Sequence, residues 1–366
     1  MIGKAVTYIL LIICSAIFLL SAFALIRGIL YRPAPKFLNL YITRRTNSRS
    51  EWFTLVLQRP WYLRWLPLPR FRAGQSIAIA PHGHTTKRRY SLARWHKTPF
   101  SYEVTIKREP LGKVSNRLWL EAKTGTQLRV TPPSGDFVLA HHLVANNHNA
   151  PLVFIAGGVG ITPLLAMLDE YLPRADQQIP IHLFWQVRHE HEWIYQPLLL
   201  QLQRQYPQLR LHLLVSQPLQ PEQNAHRINI NLLRAKLGKL SDYHYYLCAS
   251  ETLLDTLCSA LETNGVTRSQ IHFERFSIAS SETTGIWTLN VKGRAITFDG
   301  HKTLLDALEE NNIPISSDCR TGSCGECQLN LNQGTTKNII QPEFTVGAGK
   351  VLACCCIPQS DLLLDV

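Results

Sequence analysis

Cys319, Cys324 and Cys327 stand at C-x4-C-x2-C spacing inside CRTGSCGECQLNL, and no other part of the chain constrains the fold as much. Three thiols so close together can face one centre, and this spacing is that of a plant-type [2Fe–2S] cluster, which takes four thiolates. Gly322 and Gly325 permit the tight turns such a loop needs, and many peptide N–H groups can then point at the sulfides. A fourth thiolate lies in VLACCCIP, where Cys354, Cys355 and Cys356 are all candidates. C-x2-C also suits zinc, but zinc usually takes paired hooks of that kind, and here there is one x4 spacing and a CCC run. The other cysteines, Cys14, Cys248 and Cys258, form no disulfide framework.

The chain of 366 residues is long enough for two or three domains and an anchor. Its net charge of +12 is uneven: from residue 285 onward six Lys/Arg face nine Asp/Glu, leaving about +15 on the rest. The densest basic run is Arg27, Arg32, Lys36, Arg44, Arg45 and Arg49, with no acid between them. It follows residues 5–26, AVTYILLIICSAIFLLSAFALI, which carry no charge. At about 1.5 Å per residue that segment spans a bilayer core of about 30 Å. A signal peptide is the competing reading, with Lys4 in front and Ala22-Phe23-Ala24 like a cleavage site, but its apolar region is usually shorter. Anionic headgroups are therefore the expected partner of the basic run, nucleic acid is not, and the positive charges favour a cytoplasmic C-terminal side. An uncleaved single-pass anchor in the cell (inner) membrane is expected.

Past the proline-broken YRPAP, short alternating strands (EWFTLVLQR, GQSIAIAP, SYEVTIKR, TQLRVTPP) predict an antiparallel β-barrel. PLVFIAGGVGITPLLAML then gives a strand, a glycine turn and a helix, and IHLFWQVR, RLHLLVSQP and HYYLCAS each lead into helical text. That alternation predicts a parallel α/β domain. The polar connector SIASSETTG leads to a hairpin, WTLNVKGRAITFDG, a helix around 303–311 and the cysteine loop. The expected organisation is anchor and linker 1–35, barrel 38–147, parallel-sheet domain 148–276, linker 277–284 and cysteine module 285–366.

KRRYSLA places Arg88 and Tyr90 on one face of a strand, so that a guanidinium and a phenol reach one ligand, with Ser91 facing the other way. This run resembles the R-x-Y-[ST] flavin motif of the ferredoxin–NADP reductase superfamily. GKVSNRLWLEA resembles that superfamily's G-x-x-[ST] element, which accompanies FAD: Gly112, Lys113, Val114 and Ser115 lead into a short helix, with Ser115 as expected N-cap. FAD is expected rather than FMN. Gly157, Gly158, Gly160, Thr162 and Pro163 in GGVGITP resemble the superfamily's pyridine-nucleotide loop, with Thr162 expected to cap the helix and Pro163 at its first position. Arg188 stands where a ribose or phosphate contact is expected. VSQPLQPE has no arginine beside Ser216, which leans towards NADH over NADPH.

Cys248-Ala249-Ser250 occupies the position of the superfamily's C-G-P turn without its glycine and proline. Cys248 would lie near the nicotinamide, and Glu274 and Phe276 in HFERF stand where an acid and an aromatic meet the flavin. The tail resembles the ferredoxin ending C-x-[AS]-x-P, whose frame selects Cys354 as fourth ligand and implies a β-grasp module. The histidine pairs His82/His84 and His189/His191 read as polar loops.

The resemblance covers residues from about 38 to 366, with motifs in the order flavin, nucleotide, cluster. It implies a multidomain NAD(P)H-dependent reductase that passes electrons through flavin and a [2Fe–2S] cluster to a separate acceptor protein, with Cys248, Glu274 and Ser91 nearest the chemistry. A membrane-bound oxygenase, hydroxylase or desaturase is the first expectation for that acceptor. A ferric-chelate reductase, or a redox sensor or assembly protein with little turnover, is the alternative.

Overall fold

Alternating apolar positions build the first sheet. Its strands are β1 (Leu38–Asn47), β2 (Trp52–Gln58), β3 (Ser76–Ala80), β4 (Arg88–Ser91), β5 (Ser101–Lys107) and β6 (Gln127–Val130), in the order β4-β3-β6-β1-β2-β5. The two edges meet, because Leu92 bridges Val104 and the Ala93 N–H donates to the Glu103 carbonyl at 2.8 Å. The sheet thus curls into a barrel-like form without open edges. Leu55, Leu57, Ile77, Ile79, Tyr102 and Val104 fill it. In this computed structural model the described residues are 37–48, 51–81, 83, 86–109, 112, 114–140, 143, 150–219, 226–277, 285–298, 303–317, 320, 322, 324–339, 342 and 344–365. The expected membrane segment, residues 5–26, lies outside them, and among the described residues no helix is long and apolar enough to cross a membrane.

Helix α1 (Ser115–Glu121) follows β5. Arg45 closes its C-terminal end, donating to the carbonyls of Ala122 at 2.6 Å and Trp119 at 2.8 Å, while Arg44 pairs with Glu103 at 3.5 Å. Two members of the basic run expected to face lipid are therefore engaged within the barrel itself.

The second sheet is parallel. β7 (Leu152–Gly157), β8 (Ile181–Val187), β9 (Leu209–Val215), β10 (His244–Ser250) and β11 (Ile271–Ser277) lie in the order β11-β10-β7-β8-β9. Residues 152–156 of β7 are wholly buried, as continuous apolar strands covered on both faces must be. The cover includes α2 (Ile161–Tyr171), α3 (Gln196–Gln205), α4 (Ile230–Leu237) and α5 (Glu251–Thr263). Strand order reverses at β7, so the carboxyl ends of β7 and β10 form the crevice where such sheets bind ligands.

The third sheet is mixed. β12 (Trp287–Val291) and β13 (Arg294–Phe298) form a hairpin turning on Lys292 and Gly293, both with positive φ. Helix α6 (Leu304–Glu310) follows, where the sequence predicts a helix around 303–311, and is capped by the Thr303 hydroxyl, which accepts from the Asp306 N–H at 3.2 Å. β14 (Gln328–Gln333), β15 (Thr336–Asn338), β16 (Lys350–Leu352), β17 (Cys356–Pro358) and β18 (Leu362–Asp365) complete the module. Its main sheet runs β13-β12-β18-β14-β16, with β12 parallel to β18, and β15 pairs with β17.

Polar contacts lock the first two sheets together. Arg94 reaches Asp169 through two bonds of 2.7 and 3.1 Å, the Trp95 N–H donates to the same carboxylate, and Lys107 meets Glu192 at 3.3 Å.

Candidate active site

β7 ends at Gly157, turns through the single 3-10 turn Gly158–Gly160 and enters α2 at Ile161. A side chain on Gly160 would place its Cβ 2.0 Å from the Cys248 carbonyl oxygen, and one on Gly157 would come 2.8 Å from Ala249 Cβ. The glycine loop therefore lies directly on the Cys248-Ala249-Ser250 turn, as close approach requires. Gly158 has φ +54°, with open space where its Cβ would be.

Two sequence expectations are corrected here. Thr162 does not cap α2: the N-cap is Gly160, and the Thr162 hydroxyl donates to the Val159 carbonyl at 3.0 Å. Pro163 is the third helical residue rather than the first, because the 3-10 turn starts the helix two residues early. The position is tolerated, since first-turn N–H groups lack intrahelical acceptors. No side chain occupies the cap, which suits a phosphate at the start of an eleven-residue helix. Arg188 is exposed just past β8, its N–H donating to Glu192 at 2.9 Å. The Ser216 hydroxyl turns back to the Val187 carbonyl at 3.2 Å.

Cys248, Glu274 and Ser91 come together. β10 and β11 place Cys248 opposite Glu274, and Ser91 of the barrel lies close enough to the Glu274 carboxyl to draw its pKa down. Burial pushes the Glu274 carboxyl up to about 7, against the pull of Arg89 and Ser91, and its Oε2 is buried with no partner. Burial raises the Cys248 thiol well above its usual range, and the Glu274 charge adds to this. Phe276 lies two residues further along β11. A buried carboxyl with one unsatisfied oxygen, a thiol and a hydroxyl at the mouth of the nucleotide loop form a pocket chemistry suited to an aromatic redox ring.

On β4, burial likewise raises the Tyr90 phenol, and Arg88 donates to the Lys87 carbonyl at 3.1 Å. Arg88 also stands 3.5 Å from Glu309 of α6. Glu309 is shared with Arg320, which reaches Asp306 at 2.7 Å, and Ser317 donates to Glu309 at 3.3 Å. The strand expected to bind flavin thus touches the cysteine module through one ion network. Asp306, Glu309 and Arg320 escaped the sequence reading; the available signal was two acids at i,i+3 on a helix, with an arginine next to Cys319.

Ser115 is also corrected. It is the first residue of α1, whose N-cap is Val114 with no side-chain bond, and its oxygen instead accepts from the Glu109 N–H at 3.1 Å. That bond closes the loop over Gly112, whose absent Cβ would lie 2.5 Å from the Ser115 oxygen. Lys113 lies outside the described residues.

In the cysteine module, Cys327 and Cys354 are buried and Cys324 is exposed, while Cys319 lies outside the described residues. The Cys354 N–H points at Cys327 Sγ, 3.4 Å away, as a thiolate ligand's neighbours do. Cys354 and Cys355 sulfurs are 3.6 Å apart. Cys356 is pushed up to about 12 by burial and the neighbouring Cys355 and Cys327. Gly322 and Gly325 both have positive φ, and a Cβ on Gly322 would lie 2.5 Å from Cys355 Sγ. Among the described residues no three such side chains are gathered as a metal site. The donor chemistry and the cradle without Cβ atoms nonetheless fit an iron–sulfur group.

Comparison with known proteins defines the class. Residues 154–259 match the oxidoreductase NAD-binding domain, and residues 288–359 match the 2Fe-2S iron-sulfur cluster binding domain. The chain thus joins an oxidoreductase NAD-binding domain to a 2Fe-2S iron-sulfur cluster binding domain in one polypeptide, with the barrel-like sheet before them. A flavohemoprotein of Burkholderia sp. (strain TH2) is 32% identical over 219 residues, 58% of this chain and 53% of that protein. Oxidoreductase NdmD of Pseudomonas putida is 29% identical over 273 residues, 71% of this chain and 42% of that one. The chain spans about half the length of these two relatives. The ferredoxin reductase component of 3-ketosteroid-9-alpha-monooxygenase from Mycobacterium tuberculosis (strain H37Rv) is 25% identical, covering 80% of this chain and 84% of that one. Phthalate dioxygenase reductase shares the fold, with a TM-score of 0.66 at 21% identity over 90% of this chain and 98% of that one.

Proposed function

We propose that this chain is a membrane-anchored NAD(P)H-dependent reductase that delivers electrons to a partner oxygenase, hydroxylase or desaturase. The observation that carries this reading is the convergence of three elements. The glycine loop lies on Cys248, Glu274 opposite Cys248 lies near Ser91 of the barrel, and Arg88 of the same barrel strand meets Glu309 beside the cysteine loop.

In this reading Gly157, Gly158, Gly160, Thr162 and Pro163 shape the pyrophosphate site, and Arg188 reaches the nucleotide from the end of β8. Arg88 and Tyr90 hold the flavin, with Gly112, Lys113, Val114 and Ser115 shaping the loop for its adenylate, so that FAD is favoured over FMN. Ser91, Cys248 and Glu274 line the place where nicotinamide and flavin rings meet. Cys319, Cys324, Cys327 and Cys354 bind the iron. When bound, a flavin would supply acceptance of one hydride, that is two electrons, and a cluster would supply one-electron transfer. NADH is the favoured donor because the segment VSQPLQPE around Ser216 carries no arginine of its own. Residues 5–26 anchor the chain in the inner membrane with the redox domains cytoplasmic, and an acidic cysteine module suits a basic acceptor surface.

Anaerobic titration of the detergent-purified protein with NADH and, separately, NADPH tests the reading. Flavin bleaching followed by the EPR signal of a reduced [2Fe–2S] cluster is expected, first with NADH. Bound cofactors that neither nucleotide reduces would overturn it in favour of a sensor.

A further inference from the structure

Between Trp52 and Tyr102 the chain holds nine lysines and arginines and not one aspartate or glutamate. Within that stretch, the connection from β2 to β3 carries the 3-10 turn Trp61–Leu63. Trp61 is 79% exposed, Trp65 71% and Tyr62 58%, and Phe100 on the adjoining loop is also exposed. Arg64 and Arg70 lie exposed among them.

This loop is held rigidly. The Leu63 N–H donates to the Pro60 carbonyl at 2.8 Å, the Leu68 N–H to Pro99 at 2.7 Å and the Tyr102 hydroxyl to Pro69 at 2.6 Å. Leu68 and Phe71 are buried as its footings, and Phe71 packs edge-on against Tyr102. Trp61 and Tyr62 rings sit 5.7 Å apart, and Trp65 Nε1 donates to the Tyr62 carbonyl at 3.1 Å. The fold thus spends buried side chains and hydrogen bonds to keep three large aromatics in water. None of them belongs to the flavin, nucleotide or cysteine sites.

A clustered exposed apolar patch marks an interaction surface. Tryptophan and tyrosine with interleaved arginine is the composition of the bilayer's interfacial zone, where the rings sit at headgroup level. Aromatics with arginine also occur at protein interfaces, so the charge decides: residues 59–70 carry Arg59, Arg64 and Arg70 and no acid, which complements a surface that is anionic throughout. We propose that the loop 60–70, together with Phe100, is a membrane-contact surface that seats Trp61 and Trp65 in the headgroup region of an anionic bilayer. The inference rests on the anchor reading above, and adds a second, interfacial attachment made by the barrel itself.

Its test uses the full chain with its cofactors, reconstituted in phosphatidylcholine nanodiscs with or without phosphatidylglycerol and carrying brominated acyl chains. Co-elution with the discs reads the anchor; quenching of tryptophan emission reads the patch. The expected result is quenching in anionic discs that Trp61→Ala/Trp65→Ala removes, although six of the eight tryptophans remain. Arg64→Gln/Arg70→Gln should weaken it about fivefold per charge, as should salt that shortens the Debye length from about 10 Å to about 3 Å. Equal quenching in wild type and the double tryptophan variant, or no dependence on phosphatidylglycerol, overturns the proposal, and a protein-binding patch would give that outcome. Should the chain fail to co-elute, the anchor reading falls. Sedimentation with the same lipids as vesicles then tests the patch alone: loss of binding on Trp61→Ala/Trp65→Ala supports it and unchanged binding sinks it.

Discussion

Nη2 of Arg88 stands 3.5 Å from Oε2 of Glu309, so an arginine of β4 in the barrel is held by α6, the helix beside the cysteine loop. Burial lowers the Arg88 pKa, and Arg320 adds to that; Glu309 and Asp306 oppose the two without cancelling them. Losing a partly buried charged hydrogen bond costs about 1.5–3 kcal/mol, enough to shift module docking about tenfold or more. Glu309→Gln is expected to leave flavin content intact and slow the appearance of the reduced cluster by a comparable factor, measured by rapid-freeze EPR after mixing with NADH. An unchanged rate would show that the contact is not used in transfer.

The Glu274 carboxyl, raised by burial to about 7 from an ordinary 4.5, gives a pH signature of definite sign. The native state holds this proton more tightly than the unfolded chain, so the contribution is full below 4.5 and fades as pH rises through 7. Urea midpoints of wild type relative to Glu274→Gln should therefore decline across that window, and a parallel pair of curves would remove the assignment.

The three adjacent cysteines are separable by substitution. Cys354→Ser should abolish the cluster's visible and EPR signals while leaving flavin reduction by nicotinamide intact. Cys355→Ser and Cys356→Ser should keep iron content near wild type. If either of those removes the iron instead, the frame set by Pro358 is wrong.

Gly160→Ala forces a Cβ to within 2.0 Å of the Cys248 carbonyl. Overpacking of this kind costs about 1–3 kcal/mol. The variant should unfold at lower denaturant and show a raised KM for NADH with smaller loss of kcat. A normal KM would separate this contact from nucleotide binding.

The motifs were legible because each is local. The C-x4-C-x2-C loop, GGVGITP and R-x-Y-S each fit within one turn or strand, and the hydrophobic alternation of EWFTLVLQ and SYEVTIK marks β2 and β5 directly. The failures share one cause, the competition of nearby hydrogen-bond partners. Thr162 and Ser115 have the composition of caps, but Val159 and Glu109 claim their oxygens first. The Arg88–Glu309 contact bridges 221 residues of chain and leaves no local pattern. Arg45, charged and close to an apolar segment, looked lipid-facing until α1 offered it two carbonyls.

Gly157 meets Ala249 of the Cys248-Ala249-Ser250 turn. This turn carries alanine at 249 where the C-G-P turn that it resembles has glycine, and a Cβ added at Gly157 would meet that methyl at 2.8 Å. Steric permission here belongs to a pair of positions on two strands, not to either letter. With Ala249 in place, position 157 is the one that cannot take a side chain, so the two strands share a single limit on volume.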